Sequence, residues 1–176
     1  MDEVSVNLRF ALEKASGCDI MSDGHKVVKD NNRYRCKEME FKTYEYLAED
    51  AKMIRQIVFM QEQGFVDEFD DTDLQATQIV LYDEGKPIAT CRIFPGNEKN
   101  AFILGRLAVL KEYRGKNIGA QMLQKVEKVV AQKGGTSISL HAQCRVQKFY
   151  QKCGYTVFGE VGEEEKCPHI WMSKQI

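Results

Sequence analysis

From Met39 onward the chain alternates short apolar runs with polar turns, and this pattern predicts strands and helices. The run MEFKTYEY shows the period of two that is typical of a strand. The segment that starts at Asp50 has the period of an amphipathic helix and stops at Gly64, a residue type that often ends helices. The apolar face of this helix is formed by Met53, Ile54, Ile57 and Val58.

The rest of the pattern predicts six more strands and two more helices. The runs QIVLY and PIATCRIF flank the turn Asp83-Glu84-Gly85-Lys86 and predict an antiparallel hairpin. A run from Phe102 to Leu110 contains Gly105, and glycine inside a strand often marks a bulge. A long amphipathic helix, a strand TSISLHA, a helix from about Ala142 to Cys153 and the strands YTVFG and HIWMSK follow. The order β-α-β-β-β-α-β-α-β-β predicts an α/β protein of the α+β type, in which helices cover both faces of a mixed sheet.

The first 38 residues lack this regularity, so we interpret residues 1–38 as an N-terminal extension of unknown role and residues 39–176 as one domain. The chain carries 25 Lys and Arg against 26 Asp and Glu, a net charge of -1. Without a strong field or a basic arm, it is expected to bind neither nucleic acid nor an anionic membrane. Because the N-terminus lacks the order of a signal peptide and no apolar run is long enough to span a bilayer, we expect a cytoplasmic protein.

The six cysteines are interpreted as free thiols. No pair of them has the close spacing of zinc ligands, and the three histidines do not complete such a set. We therefore expect neither disulfides nor a bound metal. The cysteines are Cys18, Cys36, Cys91, Cys144, Cys153 and Cys167.

The turn between Leu110 and the long helix carries the strongest candidate chemistry. It contains Arg114, Gly115, Asn117 and Gly119. A turn of this kind directs successive backbone N–H groups to one point, and the helix N-terminus adds about half a positive charge. A side chain at Gly119 would keep a diphosphate away from the backbone. The turn is therefore either a phosphate site built from backbone groups or a structural loop without a ligand.

The segment Arg114-Gly115-Lys116-Asn117-Ile118-Gly119-Ala120 resembles the signature Arg/Gln-x-x-Gly-x-Gly/Ala of the GNAT superfamily of N-acetyltransferases. Asn117 replaces the first glycine of this signature, and asparagine tolerates a left-handed backbone. The strand LAV at Leu107–Val109 and the segment AQCRVQKFYQKCGY also resemble the family, and VFMQEQGF, EFDDTD and PHIWM resemble its ElaA/YjcF-like bacterial subgroup. The resemblance covers about Met39 to Ile176. It implies the GNAT fold, a mixed and mostly antiparallel sheet with a bulged central strand.

The resemblance implies binding of acetyl-CoA, with coenzyme A held by the backbone from Arg114 to Ala120. It places Leu107 at the acetyl carbonyl and Val109 at the pantetheine arm. Gln143 stands where the family has an asparagine on the following helix, and it is expected to hydrogen-bond the pantetheine or the substrate. Phe149 is the fourth residue assigned to the coenzyme outside the turn.

Tyr150 matches the family's tyrosine that protonates the departing thiolate of coenzyme A. A phenol keeps its proton at neutral pH and is not far from a thiol in acidity, which suits this role. The alternative is that Tyr150 is a buried aromatic residue that packs beside Phe149.

The general base stays open between Glu62, Glu68, Asp73, His169 and a water molecule. An amine must lose a proton before it attacks, so one of these groups should lie close to it. We place Glu62 first, because it follows the helix face, whereas most acids of the stretch Asp67–Asp73 are expected to lie in a solvated loop. His169 either lines the acceptor pocket or is a satisfied histidine on an edge strand.

The expected function is direct transfer of an acetyl group from acetyl-CoA to a primary amine of a small molecule, a peptide or a protein. Two alternatives stay open. One is a non-catalytic acyl-CoA-binding sensor whose first 38 residues contact a partner. The other is an acyl-homoserine lactone synthase. The sequence identifies neither the acceptor nor the oligomeric state, and a homodimer is among the possibilities.

Overall fold

The structure, a computed structural model, describes residues 39–164 and 167–176, and the extension predicted over residues 1–38 lies outside them. The predicted order of strands and helices is observed from Met39 onward. The strands are β1 (Met39–Tyr44), β2 (Thr77–Asp83), β3 (Lys86–Pro95), β4 (Ala101–Val109), β5 (Ser137–Gln143), β6 (Thr156–Glu164) and β7 (Cys167–Gln175). The helices are α1 (Glu49–Arg55), which continues as a π-helix over Gln56–Gln61, α2 (Ile118–Gln132) and α3 (Gln147–Lys152). Short 3-10 helices span Asp71–Leu74, Lys111–Tyr113 and Cys144–Val146.

The described strands form a seven-stranded sheet in the order β1-β2-β3-β4-β5-β7-β6. Neighbouring strands are antiparallel except for β4 and β5, which are parallel. The predicted hairpin is the β2–β3 pair, and its two turn residues, Glu84 and Gly85, have positive φ angles of 51° and 81°. Turns with two positive φ angles match the twist of the flanking strands. The mixed, mostly antiparallel sheet is therefore confirmed.

Helices pack on both faces of this sheet, as predicted. Alternate residues of β2 belong to two separate buried clusters, because successive side chains of a strand point to opposite faces. Ile79 packs in a cluster with Met122 of α2, whereas Val80 packs in a cluster with Ile54 of α1. Each fully buried aliphatic side chain of this kind stabilises the fold by roughly 1.5–3 kcal/mol.

The first helix differs from its prediction in two respects. It is α-helical only to Arg55 and then widens into the π-helix, which commonly marks a functional segment. Its buried face includes Arg55, whereas Met53, predicted on the apolar face, is 38% exposed. The apolar period did not predict the burial of Arg55, because that burial depends on carboxylates elsewhere in the chain. Gly64, with φ 77°, ends the segment as predicted.

The helix predicted from Ala142 begins later. β5 extends through Gln143, a 3-10 turn follows, and α3 begins only at Gln147. The strand predicted over YTVFG is longer than expected, because β6 continues to Glu164 through an irregularity in its pairing between Phe158 and Gly162.

Four cysteines of the described residues, Cys91, Cys144, Cys153 and Cys167, are free thiols, which confirms their prediction. Cys18 and Cys36 lie outside the described residues. Over residues 39–164 and 167–176, no cluster of three or more His, Cys, Asp or Glu side chains is arranged to hold a metal ion. The helices found there are too short or too polar to cross a membrane.

Candidate active site

Strands β4 and β5 run side by side over only part of their length. Their paired residues extend from Ala101 and Ser137 to Leu104 and Leu140. Beyond these pairs the two strands separate, so the second half of β4 has an unpaired edge. Unpaired N–H and C=O groups on such an edge are available to a ligand.

A β-bulge lies on the other side of β4, at the same level. Gly105 is opposite Arg92 and Ala108 is opposite Thr90, so Arg106 and Leu107 have no direct partner on β3. The bulge predicted near Gly105 is confirmed, but the residue in the left-handed region is Arg106, with φ 54°. Leu107 thus lies between a bulge on one side and the strand opening on the other.

The opening widens into a cleft of about 920 Å³. Most residues that the sequence predicts for the coenzyme and for catalysis line it. They are Leu107, Val109, Arg114, Gly115, Asn117, Ile118, Gly119, Ala120, Gln143, Phe149 and Tyr150. Lys116 lies outside this lining, with its Nζ 5.1 Å from the centroid of the Tyr113 ring. Among the four side chains considered as the general base, His169 lines the cleft, and Glu62, Glu68 and Asp73 do not.

The N-terminus of α2 opens into the cleft without a cap from its N-cap side chain. Asn117 adopts the left-handed conformation expected for it, with φ 63°, and makes no capping hydrogen bond. The first N–H groups of a helix have no acceptor inside the helix and carry partial positive charge, so this end favours an anion. A Cβ atom at Gly119 would lie 3.0 Å from Cζ of Phe149, so a side chain here would require the Phe149 ring to shift.

Arg114 connects the turn to two other predicted residues. Its Nε donates to the carbonyl oxygen of Val109 at 2.9 Å, and its Nη2 donates to Oε2 of Glu62 at 2.7 Å. Both side chains of the Arg114–Glu62 pair are partly exposed, and such pairs contribute at most about 1 kcal/mol. The pair is therefore weak enough for a phosphate group to replace the Glu62 carboxylate.

Tyr150 lies on α3, at the wall of the cleft, and is only 9% exposed. Its ring packs edge-on against Phe149 and Tyr155, with centroid distances of 5.0 and 5.9 Å. Burial raises the pKa of Tyr150 above that of a free phenol, and the nearby Cys91 and Cys153 thiols add to the rise. The hydroxyl consequently keeps its proton through the neutral and mildly alkaline range.

In the acidic stretch Asp67–Asp73, the solvated loop was wrongly predicted for Glu68 and Asp73, whereas Asp67, Asp70 and Asp71 are exposed as expected. Glu68 and Asp73 are 1% and 5% exposed. Arg55 donates from Nε to Glu68 at 2.7 Å, and from Nη1 and Nη2 to the Asp73 carboxylate at 2.6 and 2.9 Å. Arg55, Glu68 and Asp73 are buried because their charges are paired and hydrogen-bonded. We call the following set of six ion-paired side chains the ionic cluster: Arg55, Arg92, Arg106, Glu68, Asp70 and Asp73.

The two buried carboxyls of the ionic cluster have pKa values shifted in opposite directions. For Glu68, burial outweighs the attraction of Arg106 and Arg55 and raises the pKa. For Asp73, burial alone would raise the pKa, but hydrogen bonds from Arg55 and Arg92 outweigh it and lower the pKa to about 2. Asp73 therefore stays ionised well into the acid range.

The depressed pKa of Asp73 predicts a loss of stability in acid. A carboxyl with a lowered pKa stabilises the fold above its unfolded pKa, and this contribution disappears as the pH falls through the folded value. The shift from 3.8 to about 2 corresponds to about 2 kcal/mol. We expect the free energy of unfolding, measured by urea denaturation, to fall between about pH 4 and pH 2 by roughly this amount more in the wild type than in Asp73→Asn. Equal acid losses in both proteins would contradict the assignment.

Gln143, predicted on a helix, instead lies at the end of β5 and joins a polar bridge. Its Nε2 donates to Oε1 of Gln63 at 3.0 Å. Arg145 donates to Gln143 Oε1 at 2.7 Å and to Gln63 Oε1 at 2.8 Å. All three side chains line the cleft, so the bridge connects the segment after the π-helix to the end of β5. This bridge was not predictable from the sequence, because Gln63 and Gln143 are 80 residues apart.

A wall of flat side chains completes the cleft. His141 of β5 is in register with Trp171 of β7, and the two rings stack with centroids 4.8 Å apart. The centroid of His169 lies 5.0 Å from that of His141. His169 was predicted as a candidate, whereas His141 was not, although its alternation with the apolar Leu140 indicates that the two side chains point to opposite faces of the sheet.

The hydrogen bond of His169 determines which ring nitrogen carries the proton in the neutral side chain. Its Nδ1 lies 2.8 Å from the carbonyl oxygen of Cys167. A carbonyl oxygen only accepts, so Nδ1 is the donor and Nε2 keeps a free lone pair. His169 lines the cleft and has a satisfied Nδ1, but the predicted edge position was wrong, because β7 lies between β5 and β6.

The comparisons with known proteins agree with this geometry. Residues 35–155 match the acetyltransferase (GNAT) family. The chain is 36% identical over 134 residues to the uncharacterized protein YyaT of Bacillus subtilis, covering 72% of this chain and 88% of YyaT. It is 33% identical over 130 residues to the uncharacterized N-acetyltransferase YjcF of the same organism, covering 71% and 90%. The crystal structure of Escherichia coli ElaA is similar with a TM-score of 0.70 at 26% identity, covering 78% of this chain and 99% of ElaA.

Proposed function

The chain belongs to the acetyltransferase (GNAT) family, and we propose that it transfers the acetyl group of acetyl-CoA directly to a primary amine of a small molecule, a peptide or a protein. The family match confirms the resemblance predicted from the turn, and the similarity to YjcF and ElaA confirms the predicted subgroup. Membership implies acyl-CoA-dependent transfer in general. The amine acceptor, the direct mechanism and the residue roles below are our proposal.

The observation that carries the proposal is the open N-terminus of α2 beside the β4–β5 separation. The uncapped helix end favours a diphosphate, and its position beside the unpaired edge of β4 gives an extended pantetheine arm a strand to follow. Both features line the same cleft. Arg114 adds a guanidinium that is already paired with an anion, the Glu62 carboxylate.

Bound acetyl-CoA supplies a thioester, and attack by the acceptor amine forms a C–N bond as the C–S bond breaks. In this reaction the main chain of Leu107, which lacks a strand partner, donates to the carbonyl oxygen as it gains negative charge. Tyr150 donates its hydroxyl proton to the departing thiolate sulfur, although its raised pKa makes it a weaker acid than a free phenol. The proton lost by the amine goes to Nε2 of His169, with Glu62 as the alternative base.

A substitution in the first turn of α2 tests the coenzyme site. Ala120→Glu places a carboxylate where the diphosphate is proposed to bind, while a negative charge at this end of a helix favours folding. We expect coenzyme A affinity, measured by calorimetry, to fall by about 10-fold or more, with an unchanged or higher melting temperature. Ala120→Gln has the same length without the charge and should lose less affinity. Equal losses in the two variants would contradict an anion site at this helix end.

The transferase activity itself is tested by thiol release from acetyl-CoA with a panel of primary amines. Absence of coenzyme A binding at about 100 µM would overturn the proposal. Binding without transfer to any amine would instead support the non-catalytic acyl-CoA sensor. Binding of S-adenosylmethionine, with transfer to it from an acyl donor, would support the acyl-homoserine lactone synthase.

A further inference from the structure

The cleft has a second wall, beyond the coenzyme site, that is formed by one face of the sheet. Residues paired in register point to the same face. Phe94 of β3 is opposite Ile103 of β4, and His141 of β5 is opposite Trp171 of β7. Leu140, next to His141, is buried on the opposite face. The cleft side of the sheet therefore presents apolar and flat side chains, and we call it the acceptor wall.

Arg106 provides a positive charge beside this acceptor wall. It occupies the β4 bulge in a left-handed backbone conformation, with φ 54°. This conformation costs a non-glycine residue about 1 kcal/mol or more, so glycine would be the less strained choice. Arg106 also lines the cleft, and its side chain is 22% exposed. The bulge thus carries, at a strained position, a charged side chain that reaches the ligand space.

Arg106 is the least satisfied arginine of the ionic cluster. Arg92 donates to both Asp70 oxygens at 2.7 Å. Arg106 has only Nε 3.0 Å from Glu68 Oε2, in a geometry that is not a hydrogen bond, and Nη2 3.7 Å from Asp70 Oδ2. Glu68 Oε2 also lacks a hydrogen-bond partner, so no hydrogen bond completes the Arg106–Glu68 ion pair. The guanidinium of Arg106 therefore has donors to offer to a group in the cleft.

We propose that Arg106 binds a carboxylate of the acceptor, so that the substrates are amino acids rather than simple amines. This inference rests on the proposed acetyltransferase function. A guanidinium matches the planar carboxylate with two parallel hydrogen bonds. The charges of the three arginines and the three carboxylates of the ionic cluster cancel. The site therefore accepts a carboxylate, with one negative charge, better than a phosphate, with two. Arg106 directly precedes Leu107, whose main chain is proposed to bind the thioester carbonyl. A carboxylate bound to Arg106 therefore lies near the thioester, and only an amine close to that carboxylate can attack it.

The remainder of the amino acid is proposed to contact His141 and Trp171. Their stacked rings offer flat, partly buried surface in the cleft that Arg106 also lines. Such surface favours planar or aliphatic side chains over strongly hydrated ones. Glu164 lies 3.2 Å from Nδ1 of His141, and its negative charge disfavours acidic side chains at this end of the wall.

The test compares amino acids with their primary amides as acceptors, for example phenylalanine with phenylalaninamide. Rates are measured by thiol release and referred to the concentration of neutral amine, because the two compounds differ in amine basicity. We expect kcat/KM for the acid to exceed that for the amide by about 10-fold or more in the wild type. In Arg106→Gln this ratio should fall to about 1, and Arg106→Lys should recover part of it. A purely structural role for Arg106 would lower both rates and leave the ratio unchanged.

Arg106→Gly keeps the experiment decisive if the glutamine variant folds poorly, because glycine adopts the left-handed conformation without strain. Loss of the acid preference in Arg106→Gly supports the proposal. A wild-type enzyme that acetylates acid and amide equally well overturns it and leaves the transferase function intact. Calorimetry with coenzyme A-loaded protein and N-acetylphenylalanine gives an independent readout. Binding that depends on Arg106 without any transfer supports the carboxylate site and contradicts the transferase, and neither binding nor transfer overturns both.

Discussion

Replacement of Tyr150 by phenylalanine is expected to lower kcat by about 100-fold, the lower range for loss of a general acid. The hydroxyl is the only group removed, and the ring keeps its edge-on packing against Phe149 and Tyr155. Coenzyme A affinity should therefore change little. Thiol-release kinetics and calorimetry measure the two quantities separately. Because burial raises the pKa of Tyr150, the activity of the wild type should not decline up to about pH 9 through ionisation of this residue.

Tyr155→Phe is the matched control. Tyr155 is also buried, 2% exposed, and its hydroxyl has no hydrogen-bond partner among the described residues. Tyr155 does not line the cleft. Its variant should keep wild-type kcat, so a similar loss in both variants would indicate an effect of burial rather than proton transfer. Full activity in Tyr150→Phe would remove the residue from the acid role.

Replacement of Arg55 by methionine is expected to destabilise the fold by about 3–5 kcal/mol. The guanidinium of Arg55 has no exposed surface and supplies hydrogen bonds to Glu68 and Asp73. Its removal leaves buried carboxylates with fewer partners, and that loss exceeds any gain from the apolar methionine. The measurement is the free energy of unfolding in urea at neutral pH.

Lys133→Met serves as the control for this variant. Lys133 and Glu45 form an ion pair at 3.0 Å with exposed side chains, and such pairs contribute at most about 1 kcal/mol. If Arg55→Met lowers the free energy of unfolding by less than about 1 kcal/mol, as in the control, the ionic cluster does not stabilise the fold as proposed.

Much of the fold was predictable because local sequence determines it. The β2–β3 hairpin follows from Glu84-Gly85 between two apolar runs, and α2 follows from its apolar period and its glycine-rich ends. The conformation of Asn117 was predictable for the same reason, since few residue types tolerate it. These features need information from only a few neighbouring residues.

The ionic cluster was not predictable, because its partners are brought together by the fold. Arg55 lies 13 and 18 residues before Glu68 and Asp73. Taken alone, a run of acidic residues is typical of an exposed loop. The same reason explains the misplaced Gln143 and the missed His141, whose contacts come from Gln63 and Trp171. Gly105 correctly indicated the bulge, but the left-handed conformation of Arg106 was not predictable, because the sheet imposes it on a residue type that does not favour it.

The balance of the ionic cluster also has a kinetic consequence. Three positive and three negative groups within one cluster produce an electrostatic field that decays quickly with distance. The net charge of the whole chain is only -1. Long-range steering requires an uncompensated field and depends strongly on ionic strength. An acceptor therefore diffuses to the cleft without guidance, and its association rate should be nearly insensitive to salt. The enzyme then distinguishes acceptors after they have reached the cleft, by their different dissociation rates.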